Sequence, residues 1–124
     1  MDMKQTLISG LPELKLDLTQ AQIDTLCAFG QAVIDQNQVM NLTAITEPQQ
    51  VAKLHLLDSL TVLSALDLRG KSLIDVGCGA GFPGVPLAIA SPQTQVTLLD
   101  SLGKRVNWLK EILPQLGVSA QCVT

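Results

Sequence analysis

Aromatic side chains are scarce: Phe29, Phe82 and Trp108 are the whole set, with no tyrosine. Any core must therefore be aliphatic, and a base-stacking platform for single-stranded nucleic acid has few rings to use. Charge is sparse too, at 15% of residues, with a net charge of −3. That argues against a protein held on nucleic acid by global positive charge. Three cysteines, Cys27, Cys78 and Cys122, are odd in number and widely spaced. No two have the spacing of a zinc site or redox pair, so reduced thiols in a cytoplasmic protein are expected, with no metal. No apolar run approaches the ~18 residues of a membrane span, and no membrane partner is expected. The N-terminus carries Asp2 and lacks the long apolar centre of a signal peptide. No segment recurs at a fixed period.

What is present is aliphatic material: 47% of the 124 residues are hydrophobic. That is enough apolar surface to offset the entropy of ordering a domain-sized chain. Residues 3–9 suit a short helix stopped by Gly10 and Pro12. Thr19 and Gln22 form a capping box that opens a helix over about 20–37. Ile23, Leu26, Cys27, Gly30, Val33 and Ile34 make its apolar stripe. Asn41-Leu42-Thr43 interrupts the pattern, and Asn41 and Thr43 can hold the interhelical turn. Thr46 as N-cap, Gln49 as its box partner and Pro48 in the first turn restart it. Val51, Leu54, Leu57 and Leu60 line that helix, which ends near Leu66.

After a turn at 67–71 the period changes. Residues 72–76 read as a buried parallel strand meeting a glycine cluster. A short helix over 83–90, a strand over 95–99, a helix capped by Ser101 and a strand over 118–123 follow. Leu102, Val106, Leu109 and Leu113 line that last helix, and Pro114 and Gly117 close it. The expected architecture is α/β: an N-terminal helical cap over 1–70, then a β-α-β-α-β series over 71–124 with a parallel sheet. Three strands leave a doubly wound sheet half built, so the chain is expected to be part of a longer protein.

The segment Asp75-Val76-Gly77-Cys78-Gly79-Ala80-Gly81-Phe82-Pro83-Gly84 sits between a strand and a helix, where a nucleotide loop belongs. Asp100 follows Gly77 by 23 residues at the tip of the next strand. A carboxylate there can accept from a ribose diol. Gly79, Gly81 and Gly84 formally match the dinucleotide pattern G-x-G-x-x-G, which keeps an NAD(P)-binding oxidoreductase open. That match is displaced from the strand end by two residues. The unshifted pattern, Asp75 with Gly77, Gly79 and Gly81, is the loop of class I methyltransferases that bind S-adenosylmethionine (SAM). SAM lacks a pyrophosphate, and Asp75 suits an ammonium better than a phosphate. A third reading is a non-catalytic binding module that offers its helical part to a partner.

Four strings occur here in one order: Asn41-Leu42-Thr43; His55-Leu56-Leu57-Asp58-Ser59; the glycine segment with its Phe82-Pro83-Gly84 extension; and Leu98-Leu99-Asp100-Ser101-Leu102-Gly103-Lys104-Arg105. Together, from about residue 20 onward, they resemble the bacterial ribosomal RNA small-subunit methyltransferase G family, also called the glucose-inhibited division protein B family. The resemblance implies a Rossmann-like, SAM-dependent class I methyltransferase domain. It implies methylation of guanine N7 in 16S ribosomal RNA, with that RNA or the small ribosomal subunit as partner. Gly77 and Phe82 match the family's cofactor positions. The family's remaining cofactor contacts, an acidic pair and a later arginine, have no counterpart; ending before the strands that would wall the adenine and the target guanine, these 124 residues alone are expected not to methylate RNA. Cys78 stands where many relatives carry threonine and reads as a small loop residue.

The candidate cofactor set is Asp75, Gly77, Gly79, Gly81, Phe82 and Asp100. No catalytic side chain is expected, because N7 attacks without losing a proton and positioning can supply the acceleration. His55, Asp58 and Ser59 either border the cofactor cleft or fix their helix against the sheet. Lys104 and Arg105, with Lys110 nearby, either contact RNA phosphates or form a solvated helix face.

Overall fold

Two capping boxes set the first two helices. The structure, a computed structural model, describes residues 2–124. Asp2 and Gln5 exchange side-chain bonds with each other's backbone N–H and open α1, Met3–Leu14. Thr19 and Gln22 do the same for α2, Gln20–Gln36. Each box satisfies two otherwise orphaned donors of a helix start. Gln22 also donates through Nε2 to the carbonyl oxygens of Ile89 and Ala90, at 3.2 and 3.4 Å. It thereby ties α2 to the end of a helix in the sheet region.

α1 runs through both residues expected to stop it. Gly10 lies against Leu57, and a Cβ there would strike the Leu57 side chain. The glycine serves close approach between elements, a role that local pattern reading mistakes for a break. Pro12 lies in the last turn, and the helix ends shortly after it at Lys15, which adopts the left-handed conformation (φ 57°).

The next helical stretch has three parts: α3, Pro48–Val51; a π-helical turn, Ala52–Leu57; and α4, Asp58–Ala65. Its N-cap is Glu47, without a side-chain cap bond, so the expected Thr46–Gln49 box does not form. Pro48 occupies the first turn and removes one donor that would need a partner. A series spaced by three residues drifts around a helix, so it does not stay on the buried side. Val51, Ala52, Leu56 and Leu60 are buried, whereas Leu54 is 52% exposed.

β1, Ser72–Val76, pairs in parallel with β2, Gln95–Leu99, and β2 pairs in parallel with β3, Gln121–Val123. The strand order is β1-β2-β3. α5, Gly84–Ala90, connects β1 to β2, and α6, Gly103–Gln115, connects β2 to β3. β3 is shorter than the 118–123 expected, and Pro114 lies inside α6 rather than beyond it. The N-cap of α6 is Leu102, not Ser101; the Asp100 carboxylate accepts from the Leu102 N–H instead. Leu102 is accordingly outside the buried stripe, at 46% exposure.

The sheet has one covered face. Val96 and Leu98 of β2 point into it and are buried, with Leu73 and Asp75 of β1 half-buried beside them. Side chains alternate along a strand, so Ile74, Val76 and Val123 point the other way and are exposed. One hydrophobic cluster joins α1, α2, the π turn, α4, α5, α6 and the covered sheet face. Phe29, absent from the expected α2 stripe, lies at its centre and is fully buried. Among the described residues, no helix is long and apolar enough to cross a membrane.

Candidate functional site

The turn after β1 is fixed by backbone bonds before any side chain acts. The N–H groups of Gly77 and Cys78 both donate to the Leu99 carbonyl oxygen, at 2.7 and 3.0 Å. The Gly81 N–H donates back to Cys78 at 2.8 Å, closing a tight turn. Gly77, Gly79 and Gly81 have φ of 71°, 56° and 108°, the region that favours glycine.

These glycines divide into two classes by what surrounds them. A Cβ built on Gly77 or Gly79 meets nothing within 4 Å, so both positions border open space. A Cβ on Gly81 would crowd Val85 at 2.8 Å and Phe29 at 3.1 Å, and one on Gly84 would crowd Leu98 and Asp75. Gly77 and Gly79 therefore leave room for a ligand, while Gly81 and Gly84 let the loop and α5 sit against the core.

Two carboxylates brace the turn. Asp75 Oδ2 accepts from the Gly84 N–H at 2.9 Å. Asp100 Oδ2 accepts from the Gly79 N–H at 2.7 Å, and its Oδ1 accepts from Leu102 at 2.9 Å. Asp100 is 5% exposed. The Leu102 N–H, chiefly, holds its carboxyl below the usual carboxylate range, aided by Gly79 and Arg105 and opposed by burial. Arg105 Nη1 lies 3.7 Å from Asp100 Oδ2. Asp75 shifts the opposite way: burial raises its pKa, the nearby Asp100 adds to the rise, and the Gly84 N–H opposes it. The loop thus carries two carboxylates, one buried and one half-buried.

Burial, with Asp75, Asp100 and Cys122 nearby, pushes the Cys78 thiol up to about 11. It is a packed thiol, as expected of a small loop residue, and not an activated nucleophile.

Phe82 extends the loop towards the helices. The His55 ring stacks on it at 4.3 Å between centroids and 3° between planes, and Phe29 meets it edge-on at 5.4 Å. Of the other residues in the His55 string, Asp58 is exposed, and the buried Ser59 donates its hydroxyl to the His55 carbonyl one turn back. Lys104 is exposed on the first turn of α6, while Arg105 is partly covered beside Asp100.

A cleft of about 780 Å³ lies elsewhere. Leu68, Arg69, Ser91 and Gln93 line it, next to the N-terminal ends of β1 and β2. The glycine loop follows the C-terminal ends, where open parallel sheets bind their ligands. The bare Gly77 and Gly79 and the carboxylates of Asp75 and Asp100 lie at that end.

A family model described as rRNA small subunit methyltransferase G matches residues 22–124. The chain belongs to that family. A ribosomal RNA small subunit methyltransferase G from Desulforamulus reducens is 43% identical over 122 residues, covering 98% of this chain and 51% of the relative. The protein of that name from Lachnoclostridium phytofermentans is 45% identical over 112 residues, covering 90% and 46%. The one from Haemophilus ducreyi is 42% identical over 117 residues, covering 94% and 57%. The chain spans about half the length of the curated relatives it matches.

Two residues outside the expected set organise this region of the family member. Asn37 Oδ1 accepts from the N–H groups of Leu42 and Thr43, at 2.7 and 2.9 Å, and so holds the turn that Asn41 was expected to hold. Asparagine at the end of a helix is a recognisable turn signal. Phe29 falls three residues after Leu26 and four before Val33, so its place on the stripe was also open to reading.

Proposed function

We propose that this chain supplies the SAM site of a methyltransferase that modifies N7 of a guanine in 16S ribosomal RNA. The observation that carries the reading is the loop itself: open space over Gly77 and Gly79, with Asp100 accepting from the Gly79 N–H and Asp75 from the Gly84 N–H at the far end of the loop. SAM is a cation with a sulfonium and an ammonium, and it fits an acidic edge. Bound SAM supplies an electrophilic methyl carbon. Asp75 is placed to attract the ammonium, directly or through water. A carboxylate has about four acceptor sites, and Asp100 spends two on Gly79 and Leu102, leaving capacity for a ribose diol.

The dinucleotide alternative fares worse on the same residues. It needs Gly81 close to a pyrophosphate at the start of α5. Gly81 faces Phe29 and Val85, and the Asp75 carboxylate already accepts from Gly84 there.

Guanine N7 carries a free lone pair, so no side chain need remove a proton. The task of Gly77, Gly79, Phe82 and the two carboxylates is to bind and orient. In this reading residues 71–124 form the cofactor part and residues 1–70 the helical part that steadies it. Lys104, exposed beside the loop, and Arg105 meet RNA phosphates, and an rRNA substrate puts the activity in the cytoplasm.

Calorimetric titration with SAM, S-adenosylhomocysteine and NAD, each alone, tests the reading. Saturable binding of the two adenosyl ligands without NAD binding is expected. NAD binding without SAM binding contradicts it.

A further inference from the structure

His55, the only histidine in the chain, is held in a series of contacts that runs from the end of α2 to the glycine loop. Asn37 fixes Thr43 by accepting from its N–H at 2.9 Å. Thr43 Oγ1 accepts from the Ile45 N–H at 3.1 Å and lies 2.8 Å from His55 Nε2. The hydroxyl and the ring nitrogen therefore share a hydrogen bond that pins the imidazole to the turn. Burial pulls the His55 pKa below its ordinary value, against the opposing charge of Asp58.

The ring so fixed lies parallel to Phe82 at 4.3 Å, and Phe29 meets Phe82 at an angle of 60°. Phe82 is therefore clamped between a stacked ring and an edge. It directly follows Gly81, whose φ of 108° aims the chain out of the turn. The π-helical turn that carries His55 is a type of distortion often retained at functional sites.

We infer that His55 is a positioning residue for the cofactor site, setting the plane of the Phe82 ring through its stack while Thr43 fixes the imidazole. The inference rests on the reading that the glycine loop binds SAM. His55 touches no ligand in this account. It removes freedom from Phe82 before binding, so less is lost when the ligand arrives.

The test is titration of S-adenosylhomocysteine into the 124-residue chain, its His55→Ala, His55→Phe and Thr43→Val variants, with melting curves recorded for each. His55→Ala is expected to weaken binding roughly tenfold, and His55→Phe, which keeps a ring, to return to within about threefold of the unsubstituted chain. A merely structural role would lower the melting temperature of His55→Ala and leave affinity unchanged in folded protein. That result overturns the inference.

With one histidine, the Cε1–H proton resonance needs no assignment. It is expected upfield through the Phe82 ring current, and to move on adding S-adenosylhomocysteine. If His55→Ala does not fold, Thr43→Val carries the test. Weaker binding with a moved histidine resonance supports the inference, and unchanged affinity overturns it. Absence of binding to the unsubstituted chain overturns the cofactor reading and the inference together, a result distinct from failure at His55 alone.

Discussion

Asp100 accepts from Gly79 through one carboxylate oxygen and from Leu102 through the other, so it joins the glycine loop to the start of α6. Asp100→Ala is expected to weaken SAM binding by about 1–3 kcal/mol, the range for hydrogen bonds to a charged acceptor. Calorimetry checks this, and unchanged affinity removes Asp100 from the site. The two classes of glycine give a sharper contrast. Gly79→Val places its side chain in open space with a strain of about 1–2 kcal/mol, so the protein should fold and lose SAM binding. Gly81→Ala adds crowding against Val85 and Phe29, about 1–3 kcal/mol beyond the same strain, and should unfold at lower temperature. Equal melting temperatures for the two variants would contradict this division.

Asp75 gives a pH dependence whose sign follows from burial. Its folded pKa is raised above 3.8, so the neutral form is favoured in the native state. That contribution to stability is fully present below the unfolded pKa and is lost as pH rises through the folded value. At neutral pH the ionised carboxylate therefore costs stability. Asp75→Asn keeps an acceptor for Gly84 and should melt higher while binding SAM less tightly. In the unsubstituted chain, SAM affinity should fall with pH at values above 3.8, where Asp75 takes its proton, and Asp75→Asn should lack that step. A pH-independent affinity down to 3.8 would remove Asp75 from the cation site.

At the scale of elements, β1 and β2 were legible because a short apolar run ending in glycine, or in an acid at a strand tip, has few other readings. The Thr19–Gln22 box was legible as well, since both of its bonds are local. What was hidden depends on contacts distant in sequence. Gly10 looks like a breaker until Leu57 is seen against it. Leu54 looks buried in a three-residue series, but the buried side follows Ala52, Leu56 and Leu60, and Leu54 faces away. Ser101 looks like a cap until the Asp100 carboxylate takes the Leu102 N–H. Of the candidate site, the glycines and acids could be read from spacing. The His55–Phe82 stack could not, because 27 residues separate the rings. Gln22 joins both kinds of contact, capping α2 and holding the end of α5. Gln22→Ala is expected to cost about 1–2 kcal/mol in urea unfolding. A change under a few tenths would show that the link to α5 contributes nothing.

Within the 124-residue chain, the described residues leave one face of the sheet uncovered. Ile74 is 61% exposed and Val76 is 74% exposed on adjacent outward positions of β1, and Val123 lies on the same face of β3. Apolar side chains on an open sheet favour association. Sedimentation should show mass rising with concentration, and the double change Ile74→Lys with Val76→Lys should suppress it. Equal mass for both proteins at all concentrations would clear this face.

SAM is proposed to lie over Gly77 and Gly79, at the C-terminal ends of the strands. Backbone amide resonances, followed as S-adenosylhomocysteine is added, test it most directly. Saturable shifts are expected at Gly77, Gly79, Phe82 and Leu102, with Arg69 and Gln93 at the opposite end unmoved. Shifts confined to Arg69, Ser91 and Gln93 would place the ligand in the larger cleft and contradict it.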